Sequence, residues 1–465
     1  MGGLRTSAVA MALCGIVSAG RVASAAVVFA ALSAGPLDRA ILHGETDKAR
    51  AIDYLPDEEM VFTLSLQRAG EFASGEYFVN WTRTGDDGKR ESGRVDAKSL
   101  PVAVKTSLGQ PGFVRIEAVL TDAKGVPYRK RFAGDATTPE GRKALNAFEK
   151  KDNRIFFDGG AGVKVDALRS VPEPEDFDDF WAKRKARLRK VPLRATVKNE
   201  TSADPAVRVM TFSVLCAGPH PVTGTVTVPT DRSKKYPARI GFHGYGTHYV
   251  QTIPKTGPKT EIYMFINAHG YELGREDEYY TEFYNSIKSN GKPFGLDSVW
   301  QNKSADTAYF GWMIYRIMRA LEYLKTFPEW NGRDLVADGG SMGGCQAIWA
   351  AGIDPDVTLV TPSVPWCCDV GGRETLKRLY PGMVHETETL RYFDPVNFAK
   401  RVNPKSRVEI VRAGLGDYIC PPSGIAILYN NLNCSKSIRW VQGSTHGYVP
   451  EEKHQEFTVQ SEKGE

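Results

Sequence analysis

Gly339-Gly340-Ser341-Met342-Gly343-Gly344 lies between the apolar run Leu335-Val336-Ala337 and a helix-forming stretch over residues 345–351. A strand that passes into a helix across G-x-S-x-G must turn within a few residues, which presses the serine into a strained backbone conformation. Small neighbours keep other Cβ atoms out of its way. Such a turn leaves the Ser341 hydroxyl at the end of a sheet, with a helix N-terminus aimed at any negative charge that develops beside it. Gly and Ser are also common in ordinary turns, so the reading depends on what surrounds these six residues.

The surroundings alternate. Short apolar runs at 240–242, 262–266, 335–337, 359–360, 408–411 and 438–441 read as strands with helices between them. The helix before the turn carries Phe310, Met313, Ile314, Ile317, Met318, Leu321 and Leu324 at i, i+3, i+4, i+7 spacing. Two extended runs at 207–214 and 222–228 precede this pattern as an antiparallel lead-in, and Phe177, Phe180, Trp181 and Leu188 share one face of an entry helix. Strand–helix alternation implies an α/β fold, a mostly parallel sheet covered on both faces. Ligands in such folds bind at the carboxyl ends of the strands, where Ser341 falls.

A serine nucleophile needs a base and an acid. In the α/β-hydrolase arrangement they follow in the order Ser, acid, His. His446, in Gly443-Ser444-Thr445-His446-Gly447-Tyr448, follows the last apolar strand and is the expected general base. His454 lies among Glu451, Glu452 and Lys453, at the expected start of a charged helix, and reads as a surface residue. Asp417, at the carboxyl end of the run at 408–411, is the expected acid that orients the imidazole. Asp394 is the fallback, although Phe393-Asp394-Pro395 reads as a helix N-cap. The backbone amides of Met342 and, after the strand at 240–242, of Tyr245 in His243-Gly244-Tyr245-Gly246 are the expected oxyanion donors.

These parts resemble carbohydrate esterase family seven, the acetyl xylan esterases and cephalosporin C deacetylases. The residues that carry the resemblance are Phe177 to Trp181, His243-Gly244-Tyr245, the Ser341 turn, Tyr392-Phe393-Asp394, Gly416-Asp417 and Thr445-His446-Gly447-Tyr448. It spans roughly residues 170–460 and matches Ser341, Asp417 and His446 to the triad and the Tyr245 and Met342 amides to the oxyanion hole. It implies a serine esterase that removes small acyl groups, acetyl above all, from carbohydrate through an acyl-enzyme, and it implies homo-oligomers. Two departures stand out. Asn267-Ala268-His269-Gly270-Tyr271 occupies the place of the family's Arg-Gly-Gln, and Met342 replaces a Gln after the serine. His269, Tyr271 and Trp366 are the expected substrate-pocket residues, Trp366 lying in Pro365-Trp366-Cys367-Cys368, which reads equally as a pocket wall or a packed loop.

The rest of the chain sets the context. Arg5, an apolar core at residues 8–17 and Ala23-Ser24-Ala25 read as an export signal over residues 1–25, so the protein is expected to be secreted or periplasmic. Short alternating runs between about 50 and 135 suggest an immunoglobulin-like β-sandwich over 26–140, a Gly-rich linker at 141–165 and a catalytic domain over 166–465. A net charge of +5 over 465 residues, with both signs interleaved, gives no nucleic-acid footprint, and no apolar run is long enough to span a membrane. No cofactor or metal is expected, since His243 and His248 lack carboxylates at metal-like spacing. Of the six cysteines after the leader, buried thiols are the default and one disulfide stays open. Two other readings compete: a prolyl oligopeptidase-type serine peptidase, and a degenerate hydrolase that only binds carbohydrate.

Overall fold

The computed structural model describes residues 35–246, 252–379 and 384–462. The expected leader and His248 lie outside them. The N-terminal region is all β: β1 (Ile41–Thr46), β2 (Met60–Gln67), β3 (Tyr77–Gly85), β4 (Arg90–Asp96), β5 (Val102–Thr106), β6 (Gly112–Asp122) and β7 (Phe156–Val163). They form a three-stranded sheet, β1-β2-β5, and a four-stranded sheet, β4-β3-β6-β7, antiparallel throughout. Alternation along the strands sends Phe62, Leu64, Val79, Ile116, Leu120, Phe157 and Val163 into one shared apolar core.

The expected linker is not a linker. Its start is taken up by helix α1 (Pro139–Glu149). Thr138 caps it by accepting a hydrogen bond from the Gly141 amide at 2.9 Å, Pro139 begins it, and Phe132 meets Phe148 with ring centres 5.6 Å apart. Beyond it, Phe156–Val163 is the edge strand β7, paired with β6. Glycine content made this segment look like part of a linker. It serves the close approach of other backbone instead.

The remainder of the chain continues with α2 (Phe177–Arg189), β8 (Ala195–Glu200), β9 (Val207–Val214), β10 (Val222–Pro229), β11 (Tyr236–Phe242), β12 (Ile262–Asn267), α3 (Asp277–Ser286), α4 (Tyr309–Leu324), β13 (Trp330–Gly340), α5 (Met342–Ile353), β14 (Leu359–Ser363), α6 (Pro395–Ala399), β15 (Arg407–Gly414), α7 (Pro422–Asn430), β16 (Ser435–Val441) and β17 (Glu456–Ser461). The ten-stranded sheet has the order β17-β16-β15-β14-β13-β11-β12-β10-β9-β8. The strands from β12 to β16 run parallel, and β17 and β10-β9-β8 are antiparallel additions. His454 therefore precedes a strand, not a charged helix: residues 456–461 alternate half-buried and exposed positions against β16.

From β11 the chain steps outward to β12, then returns across to β13 on the other side. Chain direction along the sheet reverses there, and a crevice opens at the carboxyl ends of β11 and β13. Helix α5, which leaves β13 at that crevice, has no charged residue and is buried on nearly every side. A helix apolar all round must be covered all round. Its Trp349 indole donates to the Phe393 carbonyl at 2.8 Å, and α2 packs Trp181 and Phe177 beside the same segment. Among the described residues no helix is long and apolar enough to cross a membrane.

Candidate active site

Ser341 joins β13 to α5 with φ 57° and ψ −120°, a conformation that costs a non-glycine residue about 1–3 kcal/mol. Backbone bonds on three sides hold it. Its amide donates to the Ser363 carbonyl at 2.9 Å, and its carbonyl accepts from the amides of Cys345 at 3.1 Å and Trp366 at 3.0 Å. The flanking glycines are explained by contact. A Cβ on Gly343 would lie 2.3 Å from the Phe242 carbonyl oxygen, and one on Gly339 would lie 2.5 Å from the Gly343 carbonyl carbon. Gly340, by contrast, has nothing closer than 4.0 Å. The motif thus records how tightly β11, β13 and α5 converge under Ser341.

Asp417 follows β15 and is fully buried. Its Oδ1 accepts from the amides of Ile419 at 3.0 Å and Cys420 at 2.9 Å, and its Oδ2 lies 2.9 Å from His446 Nδ1. A carboxylate only accepts, so this contact places the imidazole proton on Nδ1 and leaves Nε2 with its lone pair. His446 follows β16 and is a quarter exposed. Its loop is closed by Thr445 N–H and Ser444 Oγ, both donating to the Tyr448 carbonyl at 3.0 Å. The structure therefore brings Asp417 and His446, the expected acid and base, together at the carboxyl ends of β15 and β16. Asp394, the fallback acid, is the N-cap of α6 and receives the amides of Val396, Val370 and Asp369.

Met342 is the first residue of α5, and the first-turn amides of a helix have no intrahelical acceptor. Tyr245 is held by its ring: the hydroxyl donates to the Phe294 carbonyl at 2.6 Å, and the ring stacks on Phe294 at 4.3 Å. Trp366 meets Tyr245 edge-on at 5.6 Å but is only 2% exposed, so it backs the loop. His269 and Tyr271, expected at the substrate pocket, lie in the interior. Both are fully buried. His269 spans the Tyr309 hydroxyl on α4, 2.9 Å from Nδ1, and the Gly246 carbonyl, 3.1 Å from Nε2. Burial holds its pKa well below that of a free histidine, so it is neutral. The Tyr271 carbonyl accepts from Thr223 Oγ1 at 2.6 Å. These residues brace the His243–Gly246 loop from below, because α4 covers what the sequence places at a strand end.

Cys420 was not anticipated. Its thiol is buried and is pushed well above the usual thiol pKa by burial, with the Ser341 hydroxyl acting weakly the other way. Asp417, Cys420 and His446 each bring one ligand atom within 4.8 Å of the others, an O, S, N set of the kind that holds a soft divalent cation once the thiol is deprotonated. All six described cysteines are thiols, with Cys345, Cys367, Cys420 and Cys434 buried. The signal for Cys420 in the sequence is only its place three residues after Asp417.

A strained serine at a topological switch point, with an Asp–His pair on the loops after β15 and β16, is the arrangement of the α/β-hydrolase class. The acetyl xylan esterase (AXE1) family model matches residues 167–380 and 381–462, more than half of the chain, and the chain belongs to that family. It is similar to the acetyl esterase Axe7A of Xylanibacter ruminicola, 26% identical over 334 residues, covering 65% of this chain and 73% of that one. Acetyl xylan esterase 1 of Thermoanaerobacterium sp. shares the fold, with a TM-score of 0.50 at 20% identity over 62% of this chain and 94% of that one. For the acetyl xylan esterase of Paenibacillus sp. R4 the TM-score is 0.49 at 21% identity, with the same coverage.

Proposed function

We propose that the protein is a serine deacetylase acting on acetylated carbohydrate. Ser341 attacks the ester carbonyl while His446 Nε2 takes its proton, and Asp417 stabilises the imidazolium that forms. The tetrahedral oxyanion is received by the amides of Met342 and Tyr245. Collapse expels the sugar hydroxyl, protonated by His446, and leaves acetyl on Ser341. Water, deprotonated by the same imidazole, then releases acetate. The observation that carries this reading is the 2.9 Å contact of His446 Nδ1 with Asp417 Oδ2, together with the strained turn at Ser341, in a chain of the acetyl xylan esterase family. Membership of that family favours an ester over the proline peptide of a prolyl oligopeptidase-type enzyme.

Acetate release from acetylated xylo-oligosaccharides and other acetylated glycans is the expected result. Turnover of proline-containing peptides without any acetate release would sink the reading.

The proposal extends to the ends of the chain. Arg5, the apolar stretch at 8–17 and Ala23-Ser24-Ala25 support export. A mature chain beginning near Ala26 is expected by mass in the periplasm or medium, and an intact Met1 on exported protein would contradict it. The seven antiparallel strands in two sheets support an immunoglobulin-like reading of the N-terminal region.

A further inference from the structure

We infer that the N-terminal β-region is a working part of the ester-hydrolysing site, with β7 holding the loops of both Asp417 and His446 and the Arg115–Asp158 pair acting as a positioning device for the acid. This rests on the Ser341–His446–Asp417 reading above. Alternation along β7 sends Phe157, Ala161 and Val163 into the β-region core, so Asp158 and Gly160 face away from it. What they face is the hydrolase. β7 is an edge strand, and an edge presents unpaired backbone groups. The Gln442 side chain takes those of Gly160 in both senses: Gly160 N–H donates to Oε1 at 2.8 Å, and Nε2 donates to the Gly160 carbonyl at 2.9 Å. Gln442 lies just past the end of β16, four residues before His446. On the same approach Phe156 meets Tyr448 with ring centres 5.5 Å apart, and the Tyr448 carbonyl is the one that closes the His446 turn.

The acid loop is held more closely still. A Cβ on Gly416 would lie 1.9 Å from the Asp158 carbonyl oxygen, and one on Gly160 would lie 3.0 Å from the Leu415 carbonyl oxygen. Strand and loop touch through backbone alone, which is why both positions lack side chains. Arg115 on β6 grips Asp158 with two bonds, Nε to Oδ1 at 2.9 Å and Nη2 to Oδ2 at 2.6 Å, and also meets Glu117 at 2.9 Å. Its guanidinium lies 4.4 Å from the centre of the Tyr418 ring, directly after Asp417. Burial pushes the Asp158 carboxyl up to about 6, Arg115 opposes that, and the negative charges of Glu117 and Asp417 add to it. Asp86 also acts on Tyr418 from the β3–β4 turn. A charge pair placed here reaches Asp417 by field as well as by contact.

The test uses the full chain on p-nitrophenyl acetate, with Asp158→Asn, Arg115→Met, their double variant and Gly416→Ala. Breaking the pair is expected to lower kcat about 10- to 100-fold with KM changed less than about twofold, since the fault is misplacement of catalytic groups and not lost substrate contact. Asp158→Asn removes one negative charge from beside the Asp417 loop and leaves Arg115 with Glu117 alone, which disfavours the imidazolium that Asp417 faces. The acid limb of kcat/KM therefore moves to lower pH, and the neutral double variant moves it back. Gly416→Ala is expected to lower kcat in the same way without moving the limb, because it adds no charge. An unchanged kcat and limb in folded Asp158→Asn overturns the inference. So does a loss that simply follows the melting temperature across all four variants. Failure of the wild type to turn over acetyl ester, or of Ser341 to label with a fluorophosphonate, indicts the triad reading instead.

Discussion

Ser341→Ala is expected to lower kcat on acetyl esters by about 10⁴-fold or more while leaving the melting temperature essentially unchanged. The loss is large because no other group can form the acyl-enzyme: Cys420, the nearest thiol, is buried and protonated. What remains is the contribution of the oxyanion donors and substrate binding, which act without the nucleophile. The fold should tolerate the change because Ser341 is held by its backbone, through Ser363, Cys345 and Trp366, and alanine keeps those bonds. Alanine also keeps the strain of φ 57°, since any Cβ suffers it. Ser341→Gly separates strain from chemistry. It should be equally inactive yet more stable, by about 1 kcal/mol, because glycine adopts positive φ freely. Turnover by purified Ser341→Ala at more than about a hundredth of the wild-type rate would remove the serine from the mechanism.

How much of this was legible in the sequence depends on how local each feature is. The Ser341 turn is legible because its glycines and its flanking strand and helix are consecutive, and chain order alone puts Asp417 and His446 at strand ends on one edge of the sheet. His269 and Tyr271 also follow a strand's carboxyl end, yet they are interior. Tyr309 and Arg316 of α4, some forty residues on, close over that loop, with Arg316 donating to the Ala268 carbonyl at 2.9 Å. No local pattern reports such cover. The glycines of Phe156–Val163 failed as a signal for a related reason. Glycine marks either a turn or the close passage of another backbone, and only the second partner, here Gly416 and Leu415, decides which.

Asp417→Asn is expected to lower kcat by about 10⁴-fold at neutral pH, nearly matching Ser341→Ala in effect although Asp417 touches no substrate. The cause is the hydrogen-bond inventory around it. Oδ1 accepts two backbone amides, from Ile419 and Cys420, and Oδ2 faces His446 Nδ1. Asparagine has one acceptor and one donor to set in those places. If its NH₂ takes the Oδ1 position it meets two N–H donors in a fully buried pocket, an unmade pairing that costs about 1–3 kcal/mol. The other orientation is therefore favoured, and it aims NH₂ at Nδ1. His446 must then carry its proton on Nε2, where it cannot accept one from Ser341. The variant should thus fold with its site in place and hold the imidazole in the wrong tautomer. Asp394→Asn is the control that decides between the two acids. Asp394 caps α6 and gathers the amides of Val396, Val370 and Asp369, so its amide should cost stability, about 1–2 kcal/mol, and leave kcat of the folded enzyme within a few fold. If the losses fall the other way round, with Asp394→Asn inactive and Asp417→Asn merely less stable, the acid of the site is Asp394, and the 2.9 Å contact with His446 is only a packing bond.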